Sequence, residues 1–398
     1  MVDLRCLRCG QVVPYGEDAY LCPVCGTGTG PSDAGILDVR YDYELAARAL
    51  FDDGRLRSDR DDIFRYLPLL PVEEPRTDLR AGWTPLVEAP RLAAALGVGS
   101  LYLKDETRNP SRALKDRATA VGVNRALAQG RTDICCASAG NAAISLAAFA
   151  ANAGLRAHAF VPHDASEIRL EWLDALGADV IRSEGDYDQA YDEAEAMRAA
   201  GWYSRNCAFN PFLVEGKKTC GLEITEQLDW RVPDVVISPV GDACTLSGIG
   251  KGFRDLQRMG RIDRLPRLVG VQAAGEPAML NLYLEQQGRP PVAEPGDTAA
   301  ASIDVAHPRN ARRLLNELEA SDGELLAVED AEMRSAQSRL ARIGGTIAEL
   351  ASASTLAALH HLSERESLAA ARVVLVVTGG RTDEPITNDE PNTKGNER

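Results

Sequence analysis

The sequence Asn109-Pro110-Ser111-Arg112-Ala113-Leu114-Lys115-Asp116-Arg117 follows the apolar, strand-like run 100–103. We single out Lys115 because its apolar neighbours Ala113 and Leu114 suggest partial burial at the start of a helix. An amine nucleophile must be neutral part of the time, and burial lowers the pKa of a lysine toward that state. A Lys-Asp-Arg triplet alone is usually a solvated helix turn. The role of Lys115 therefore depends on the elements that accompany it.

Three further elements each follow a short apolar run. They are Ser138-Ala139-Gly140-Asn141, Gly241-Asp242-Ala243-Cys244-Thr245 and Thr378-Gly379-Gly380. The first two precede helix-like stretches, and free N–H groups at a helix N-terminus bind anions such as carboxylates and phosphates. Asp242 is unfavourable beside a phosphate, so we expect its carboxylate to point away.

The four elements together offer a complete set of groups for one cofactor. Lys115 supplies an amine, Asn141 a side-chain amide, residues 241–245 a phosphate cradle and Thr378 a hydroxyl. Taken singly, the later elements are ordinary N-caps or strand-end turns. In combination they predict a site for pyridoxal phosphate.

The body of the chain, which begins near Gly82, predicts an α/β fold. Apolar runs alternate there with amphipathic helical stretches, and several runs are continuous in Val, Ile and Leu, as in parallel strands buried on both faces. The predicted strands are 134–137, 157–161, 179–181, 235–240, 268–271, 325–328 and 373–377.

The first thirty residues predict a metal site of their own. They contain Cys6, Cys9, Cys22 and Cys25 as two Cys-x2-Cys pairs, followed by Gly10 and Gly26. Glycine lets the backbone turn tightly so that both thiolates of a pair face one ion. Four thiolates suit structural Zn(II) and leave no ligand position open for chemistry. Iron and an empty knuckle are the alternatives, and a stability or docking role is expected.

Composition limits the class of protein. The chain has 398 residues, of which 45% are hydrophobic, and a net charge of −15 without a basic block. This disfavours nucleic acid as a partner. No apolar run approaches the roughly 18 residues of a membrane span, and the N-terminus lacks the apolar core of a secretory signal. We therefore expect a cytoplasmic protein with no membrane partner, whose nine cysteines serve metal binding or packing.

These motifs resemble the threonine synthase family of fold-type II pyridoxal-phosphate enzymes. The family motif like Lys-Asp-Glu-x-x-Asn-Pro-Thr-x-Ser-Phe-Lys-Asp-Arg corresponds to residues 104–117, and its Ser-x-Gly-Asn to residues 138–141. Its Asn-Pro…Glu-Gly-x-Lys-Thr corresponds to 210–219, its Pro-Val-Gly to 239–241 and its late Thr-Gly to 378–379. Some members also carry an N-terminal four-cysteine knuckle. The match covers nearly the whole chain.

The resemblance implies a fold and residue roles. Two parallel-sheet α/β domains would hold the cofactor between them, with a zinc ribbon at the N-terminus and a homodimer as assembly. Lys115 would bind the cofactor covalently and act as the general base at the substrate's Cα. Asn141 would bond the ring hydroxyl, residues 241–245 the phosphate, and Thr378 would face the pyridine nitrogen. A hydroxyl there makes the ring a weaker electron sink, which suits elimination and replacement.

The expected substrate is a small amino acid, held by Ser138, Ala139, Gly140 and Arg112. The expected units are a zinc-ribbon knuckle (1–30), a helical extension (31–80), a large cofactor-binding domain (81–104 and 206–383), a small domain (105–205) and a disordered tail (384–398).

The substrate site departs from the family pattern. In the family, an Arg at the position of Leu213 helps to bind the phosphate of O-phosphohomoserine. Ala142 occupies a position where the family frequently has Thr or Ser, and Leu350 occupies one where Pro often follows the Glu that corresponds to Glu349. These departures predict weak handling of O-phosphohomoserine, unless Arg112 replaces the missing charge.

Several functions therefore stay open at this point. The first is β- or γ-elimination or replacement on an activated amino acid, with threonine synthase as the nearest named activity. Relatives such as a phosphoserine-using cysteate synthase, a threonine or serine dehydratase or a specialised biosynthetic lyase share that class. A catalytically silent binding homologue and a zinc-ribbon nucleic-acid module are the alternatives outside it.

Overall fold

The computed structural model describes residues 3–16, 19–30, 34–292 and 296–380. The predicted disordered tail, 384–398, lies outside these ranges. The strands are β1 (Asp3–Cys6), β2 (Val12–Val13), β3 (Leu37–Arg40), β4 (Phe51–Asp52), β5 (Arg55–Leu56), β6 (Leu86–Glu88), β7 (Ser100–Asp105), β8 (Asp133–Ala137), β9 (Arg156–Val161), β10 (Asp179–Arg182), β11 (Tyr203–Ser204), β12 (Val235–Pro239), β13 (Arg267–Ala273), β14 (Glu324–Val328) and β15 (Arg372–Val377).

The helices lie between these strands. They are α1 (Tyr43–Leu50), α2 (Pro90–Leu96), α3 (Lys115–Ala128), α4 (Asn141–Ala153), α5 (Glu167–Ala175), α6 (Tyr187–Ala196), α7 (Pro211–Gln227), α8 (Cys244–Arg258), α9 (Ala278–Gln286), α10 (Ala311–Ala320), α11 (Asp330–Arg342) and α12 (Leu350–Arg365). Short 3₁₀ helices occur at Ile63–Leu69, Glu106–Arg108 and Met197–Ala200. No helix in the described ranges combines the length and the apolar character needed to cross a bilayer.

Two sheets form the body of the protein. The larger has the order β14-β13-β12-β15-β7-β6, and only β6 runs antiparallel to its neighbour. The smaller has the order β10-β9-β8-β11 and is parallel throughout. Each of the seven predicted apolar runs coincides with a strand of these sheets to within two residues at either end, so the predicted α/β class is confirmed. The domain boundaries stay a prediction.

The N-terminal region forms a small antiparallel sheet, β2-β1-β3. The segment 31–80 differs from the predicted helical extension, because it also contributes β3 and the hairpin β4-β5. Leu37 and Val39 of β3 are fully buried, and β3 pairs with β1 from Asp3↔Arg40 to Cys6↔Leu37. Burial of these two side chains accounts for a strand where the polar composition suggested a helix.

The end of β15 is joined to the segment before α3. Leu114 N donates to Thr378 O at 2.8 Å, and Gly380 N donates to Arg112 O at 3.1 Å. Since β7 and β15 are parallel neighbours, their carboxyl ends lie at the same edge of the sheet. This pairing brings Lys115 next to Thr378.

A buried ionic network fixes α3 to α7. The Arg117 guanidinium bonds both oxygens of Glu106, each at 2.7 Å, and both oxygens of Glu223, at 2.5 and 2.7 Å. Lys104 Nζ bonds Glu223 Oε2 at 2.7 Å. All four side chains are fully buried. The motif 104–117 therefore anchors α3 through Arg117 while it presents Lys115.

Candidate active site

Lys115 is the first residue of α3. Ala113, two residues before it, forms an isolated β-bridge with Gly379. Within the described residues, Lys115 Nζ has no hydrogen-bond partner, whereas its backbone oxygen accepts from Arg205 Nη2 at 3.1 Å. The backbone is therefore held from two sides, and the amine is left for another group.

The surroundings of Lys115 favour a neutral amine. Burial, reinforced by the nearby cations Lys217 and Arg205, lowers its pKa to about 8, although Cys207 and Glu349 act in the opposite direction. A substantial fraction of the amine is therefore neutral near physiological pH, as a nucleophile or general base requires.

Residues 138–141 form the turn between β8 and α4. Gly140 N donates to Ser138 Oγ at 3.0 Å, and α4 begins at Asn141. Residues 138–142 are all half-buried, in contrast to the fully packed strand before them. Asn141 Nδ2 donates to Glu349 Oε2 at 2.8 Å. The predicted substrate-binding turn thus lies at a helix N-terminus that is open to small molecules.

Residues 241–245 connect β12 to α8. Ala243 is the N-cap and has a left-handed backbone, φ 62°, a conformation that costs a non-glycine residue roughly 1–2 kcal/mol. Asp242 Oδ1 accepts from Arg309 N at 2.6 Å. The carboxylate is therefore bonded outside the turn, as the sequence led us to expect.

The carboxyl group of Asp242 is also easier to protonate than an ordinary aspartate. Burial raises the pKa of its carboxyl group to about 6, so the group is partly protonated in mildly acidic solution. A partly neutral acid repels a nearby phosphate less than a fully ionised one would.

Thr378 follows β15 and pairs with a serine of α12. The Thr378 and Ser352 hydroxyl oxygens are 3.0 Å apart, and Gly379 N donates to Ser352 Oγ at 2.9 Å. A Cβ on Gly379 would lie 2.8 Å from the Glu349 carboxyl group, so only glycine permits this close approach. The arrangement holds the predicted ring-facing hydroxyl in place.

Several groups at the site were not among the predicted residues. Lys217 of α7 is only 2% exposed, and its charge acts on Lys115, Cys207, Asp242 and Cys244. Its charge therefore reaches both the amine and the turn 241–245. Its signal in the sequence was the variable position of the quoted motif 210–219.

Four other residues of the site were not predicted: Arg205, Cys207, Glu349 and Ser352. Glu349 had a signal, because it matches the Glu of a family Glu-Pro pattern from which Leu350 departs, and Ser352 lies about one turn further along the chain, in α12. Arg205 and Cys207 follow the short strand β11, and no pattern in the sequence marked them.

The three positions behind the predicted weak phosphate binding have different surroundings. Leu213 is fully buried, and its Cδ2 is 2.9 Å from the point where a Cβ on Gly122 of α3 would lie. Arg112 is exposed and has a left-handed backbone, φ 64°. Ala142 is half-buried in the first turn of α4.

These residues fit pyridoxal phosphate. An unbonded, half-buried amine, a backbone turn at the start of a long helix and a paired hydroxyl at a strand end are arranged around one region. The cations Lys217 and Arg205 would offset the negative charge of a phosphate there. Lys115 would hold the cofactor covalently, residues 241–245 its phosphate, and Asn141 and Thr378 its ring.

The four cysteines of the N-terminal unit also converge. Their sulfur atoms all lie within 4.8 Å of one another, with Cys6–Cys25 at 3.9 Å and Cys9–Cys22 at 3.8 Å. A tetrahedral zinc with Zn–S bonds of about 2.3 Å requires sulfur atoms about 3.8 Å apart. The glycine after each pair has positive φ, 76° at Gly10 and 56° at Gly26, as the tight turns require.

Comparisons with known proteins agree with this geometry. The family described as pyridoxal-phosphate dependent enzyme matches residues 77–379. The chain is 34% identical to threonine synthase of Methanosarcina acetivorans over 96% of this chain and 91% of the relative. It is 36% identical to threonine synthase of Methanocaldococcus jannaschii over 96% of this chain and 93% of the relative.

Solved structures share the fold. Threonine deaminase isoform 2 of Solanum lycopersicum has a TM-score of 0.64 at 24% identity, over 82% of this chain and 91% of that one. Maize serine racemase has a TM-score of 0.63 at 20% identity, over 75% of this chain and 88% of that one. At these identities the likeness extends to the fold alone.

Proposed function

The chain belongs to the threonine synthase family of pyridoxal-phosphate-dependent enzymes, and from that premise we propose that it converts O-phosphohomoserine and water to threonine and phosphate. The observation that carries this proposal is the buried cation Lys217, whose charge acts on Lys115. A substrate whose leaving group is a phosphate dianion needs such a charge close to the reacting amino acid.

Different residues of this chain have different roles in the proposed reaction. Pyridoxal phosphate, when bound, withdraws electrons from the substrate's Cα. Lys115, with a pKa of about 8, takes and returns protons at the substrate's carbon atoms. The N-terminus of α4 binds the substrate carboxylate through free N–H groups of the turn 138–141. Lys217 stabilises the phosphate as it leaves.

The position of Lys217 changes the expectation drawn from Leu213. Both residues belong to α7 and are four residues, about one turn, apart. Leu213 packs toward Gly122 of α3, and the Cβ of Lys217 lies near Gly248 of α8. We therefore propose that the charge expected at position 213 is supplied from position 217. Under this proposal Arg112, which is exposed, is not needed for this role. We then expect efficient phosphate release from O-phosphohomoserine, in place of the weak activity that Leu213 and Ala142 suggested.

Replacement of Lys217 by methionine tests the proposal. Loss of a charge-assisted hydrogen bond costs about 1.5–3 kcal/mol, so kcat/KM for O-phosphohomoserine should fall roughly 10- to 100-fold. Lys217→Arg should retain more activity than Lys217→Met, and Arg112→Ala should change kcat/KM less than about threefold. The measurement is steady-state phosphate release, with O-phosphoserine assayed separately as the alternative substrate.

The cofactor absorbance shows whether Lys217 binds the phosphate of the substrate or the phosphate of pyridoxal phosphate. If Lys217 binds the substrate, Lys217→Met keeps its pyridoxal phosphate. A variant that loses the cofactor instead would place Lys217 on the cofactor phosphate. Wild-type enzyme that releases phosphate from O-phosphoserine but not from O-phosphohomoserine would contradict the proposed substrate.

We also propose that the four cysteines hold one structural zinc ion. Cys9→Ser should lower the metal content from about one zinc per chain to near zero and lower the melting temperature, while the cofactor absorbance stays. Cys220→Ser, which changes a buried cysteine outside the cluster, should leave the zinc content unchanged. Wild-type protein purified without chelator that contains no zinc would refute the assignment.

The homodimer and the cytoplasmic location stay predictions of the resemblance and the composition. Light scattering of the purified holoenzyme would test the first.

A further inference from the structure

A cleft of about 730 Å³ lies between the four-cysteine unit and the last turns of α8. Arg5 stands on the side of the four-cysteine unit, Arg254 and Arg258 on the side of α8, and Arg40 and Tyr43 on the connection between them. The volume is within the range of about 300–1,000 Å³ that is typical of small-molecule sites. Four of its ten lining residues are arginine, which favours an anion over an apolar ligand.

The arginines of this cleft are only partly neutralised. Arg40 bonds the Asp3 carboxylate through two contacts of 2.5 Å, and Arg254 Nη2 lies 2.5 Å from Glu317 Oε1. Asp38, the one carboxylate that lines the cleft, is itself bonded by Arg313 at 2.5 Å.

Arg5 and Arg258 carry the excess charge. Within the described residues, neither of them forms an ion pair with a carboxylate. Both side chains are exposed. The charge of Arg5 acts on Asp3, but no described carboxylate lies within ion-pair distance of either guanidinium group. Two guanidinium groups that are free to pair with an anion therefore line one cleft of a chain with a net charge of −15.

Arg258 is held in position for a ligand. Its Nη1 donates to the Tyr43 hydroxyl at 2.9 Å, and that hydroxyl donates to Asp255 Oδ1 at 2.9 Å. The guanidinium carbon lies 5.3 Å from the centre of the Tyr43 ring. An arginine fixed through one nitrogen keeps the other donors of its fork for a phosphate and loses less entropy when it binds.

We propose that this cleft binds a small organic phosphate with at least two anionic groups, which Arg5 contacts from one side and Arg258 from the other. Cations on opposite walls select a ligand that can bridge them. Such a ligand would tie the four-cysteine unit to α8. The site consists of residues outside the candidate active site, so the inference holds whether or not the proposed substrate is right.

Calorimetric titration of the holoenzyme with three related sugars tests this inference. We expect fructose 1,6-bisphosphate to bind, fructose 6-phosphate to bind more weakly, and fructose not to bind at all. The bisphosphate should also raise the melting temperature with its concentration, and added salt should weaken binding.

Variants locate the binding site. Arg5→Gln and Arg258→Gln should each weaken bisphosphate binding about tenfold or more. The matched control Arg48→Gln removes a charge from the exposed face of α1, where the side chain is 80% exposed, and should change the dissociation constant less than twofold. Lys217→Met should also bind as wild type does.

Three results would overturn the inference. The first is a wild-type holoenzyme that does not bind the bisphosphate, and the second is that Arg5→Gln and Arg258→Gln both bind it like wild type. The third is loss of binding in Lys217→Met, which would place the anion in the active site. A short RNA that competes with the bisphosphate and binds more tightly would instead identify the cleft as a nucleic-acid site.

Discussion

Lys115→Ala should reduce the rate of phosphate release by at least about 10⁴-fold, the upper end of what a general acid–base group contributes. The variant loses both the covalent attachment of the cofactor and the base at Cα. It should still fold, because Lys115 Nζ has no hydrogen-bond partner among the described residues. Lys115→Arg keeps the positive charge but cannot deprotonate, and it should be as inactive as Lys115→Ala.

The attachment point can be mapped directly. Borohydride reduction of the holoenzyme followed by peptide mapping should label Lys115. Label at Lys104, Lys217, Lys218 or Lys251 would overturn the assignment. Melting temperatures of Lys115→Ala and Lys115→Arg close to that of wild-type apoenzyme would show that the lost activity does not come from misfolding.

The pH dependence of cofactor uptake gives an independent test of the site. Addition of pyridoxal phosphate to the apoenzyme requires the neutral form of Lys115. With a pKa of about 8, the uptake rate should rise with pH up to about 8 and then level off. A lysine with the ordinary pKa of about 10.4 would give a rate that continues to rise beyond pH 10.

The sequence was most informative where a motif fixes the backbone. Residues 104–117, 138–141, 241–245 and 378–380 lie at strand ends in the structure, as their apolar flanks indicated. The continuous apolar runs and the glycine after each cysteine pair were equally direct signals, because each reflects a local constraint on the chain.

Local sequence patterns could not predict the groups that tertiary packing brings to the site. Lys217 occupies an interior position of α7, and its distance from Lys115 depends on how α7 packs against α3 and α8. Arg205 and Cys207 come from the far edge of the smaller sheet. The strand β3 was missed for a related reason, since its partner β1 precedes it by about thirty residues in a polar stretch.

Arg117→Met should be the most destabilising single change, with a loss of about 3–5 kcal/mol in the free energy of unfolding. The change leaves the buried carboxylates Glu106 and Glu223 with one cation, Lys104, between them. Burial alone would raise the pKa of Glu223, but Arg117 and Lys104 outweigh it and hold that pKa at about 2. Without Arg117, the two acids must take up protons or remain buried and charged, and either outcome costs stability.

A double-mutant cycle separates this network from a general loss of packing. In Arg117→Met/Glu106→Gln, one of the stranded charges is gone, so the double variant should be less destabilised than the sum of the two single changes. The matched surface control is Arg182→Met, which breaks a 2.8 Å pair with Glu167 whose side chains are 47% and 77% exposed and should cost less than about 1 kcal/mol. Unfolding in urea gives the loss of unfolding free energy for all four variants.

If Arg117→Met does not fold, Glu106→Gln alone still tests the network, because it leaves the Arg117 charge underpaired. A loss for Glu106→Gln no larger than that for Arg182→Met would show that this buried network does not anchor α3, and that Lys115 is positioned by the pairing of residues 112–114 with residues 378–380 alone.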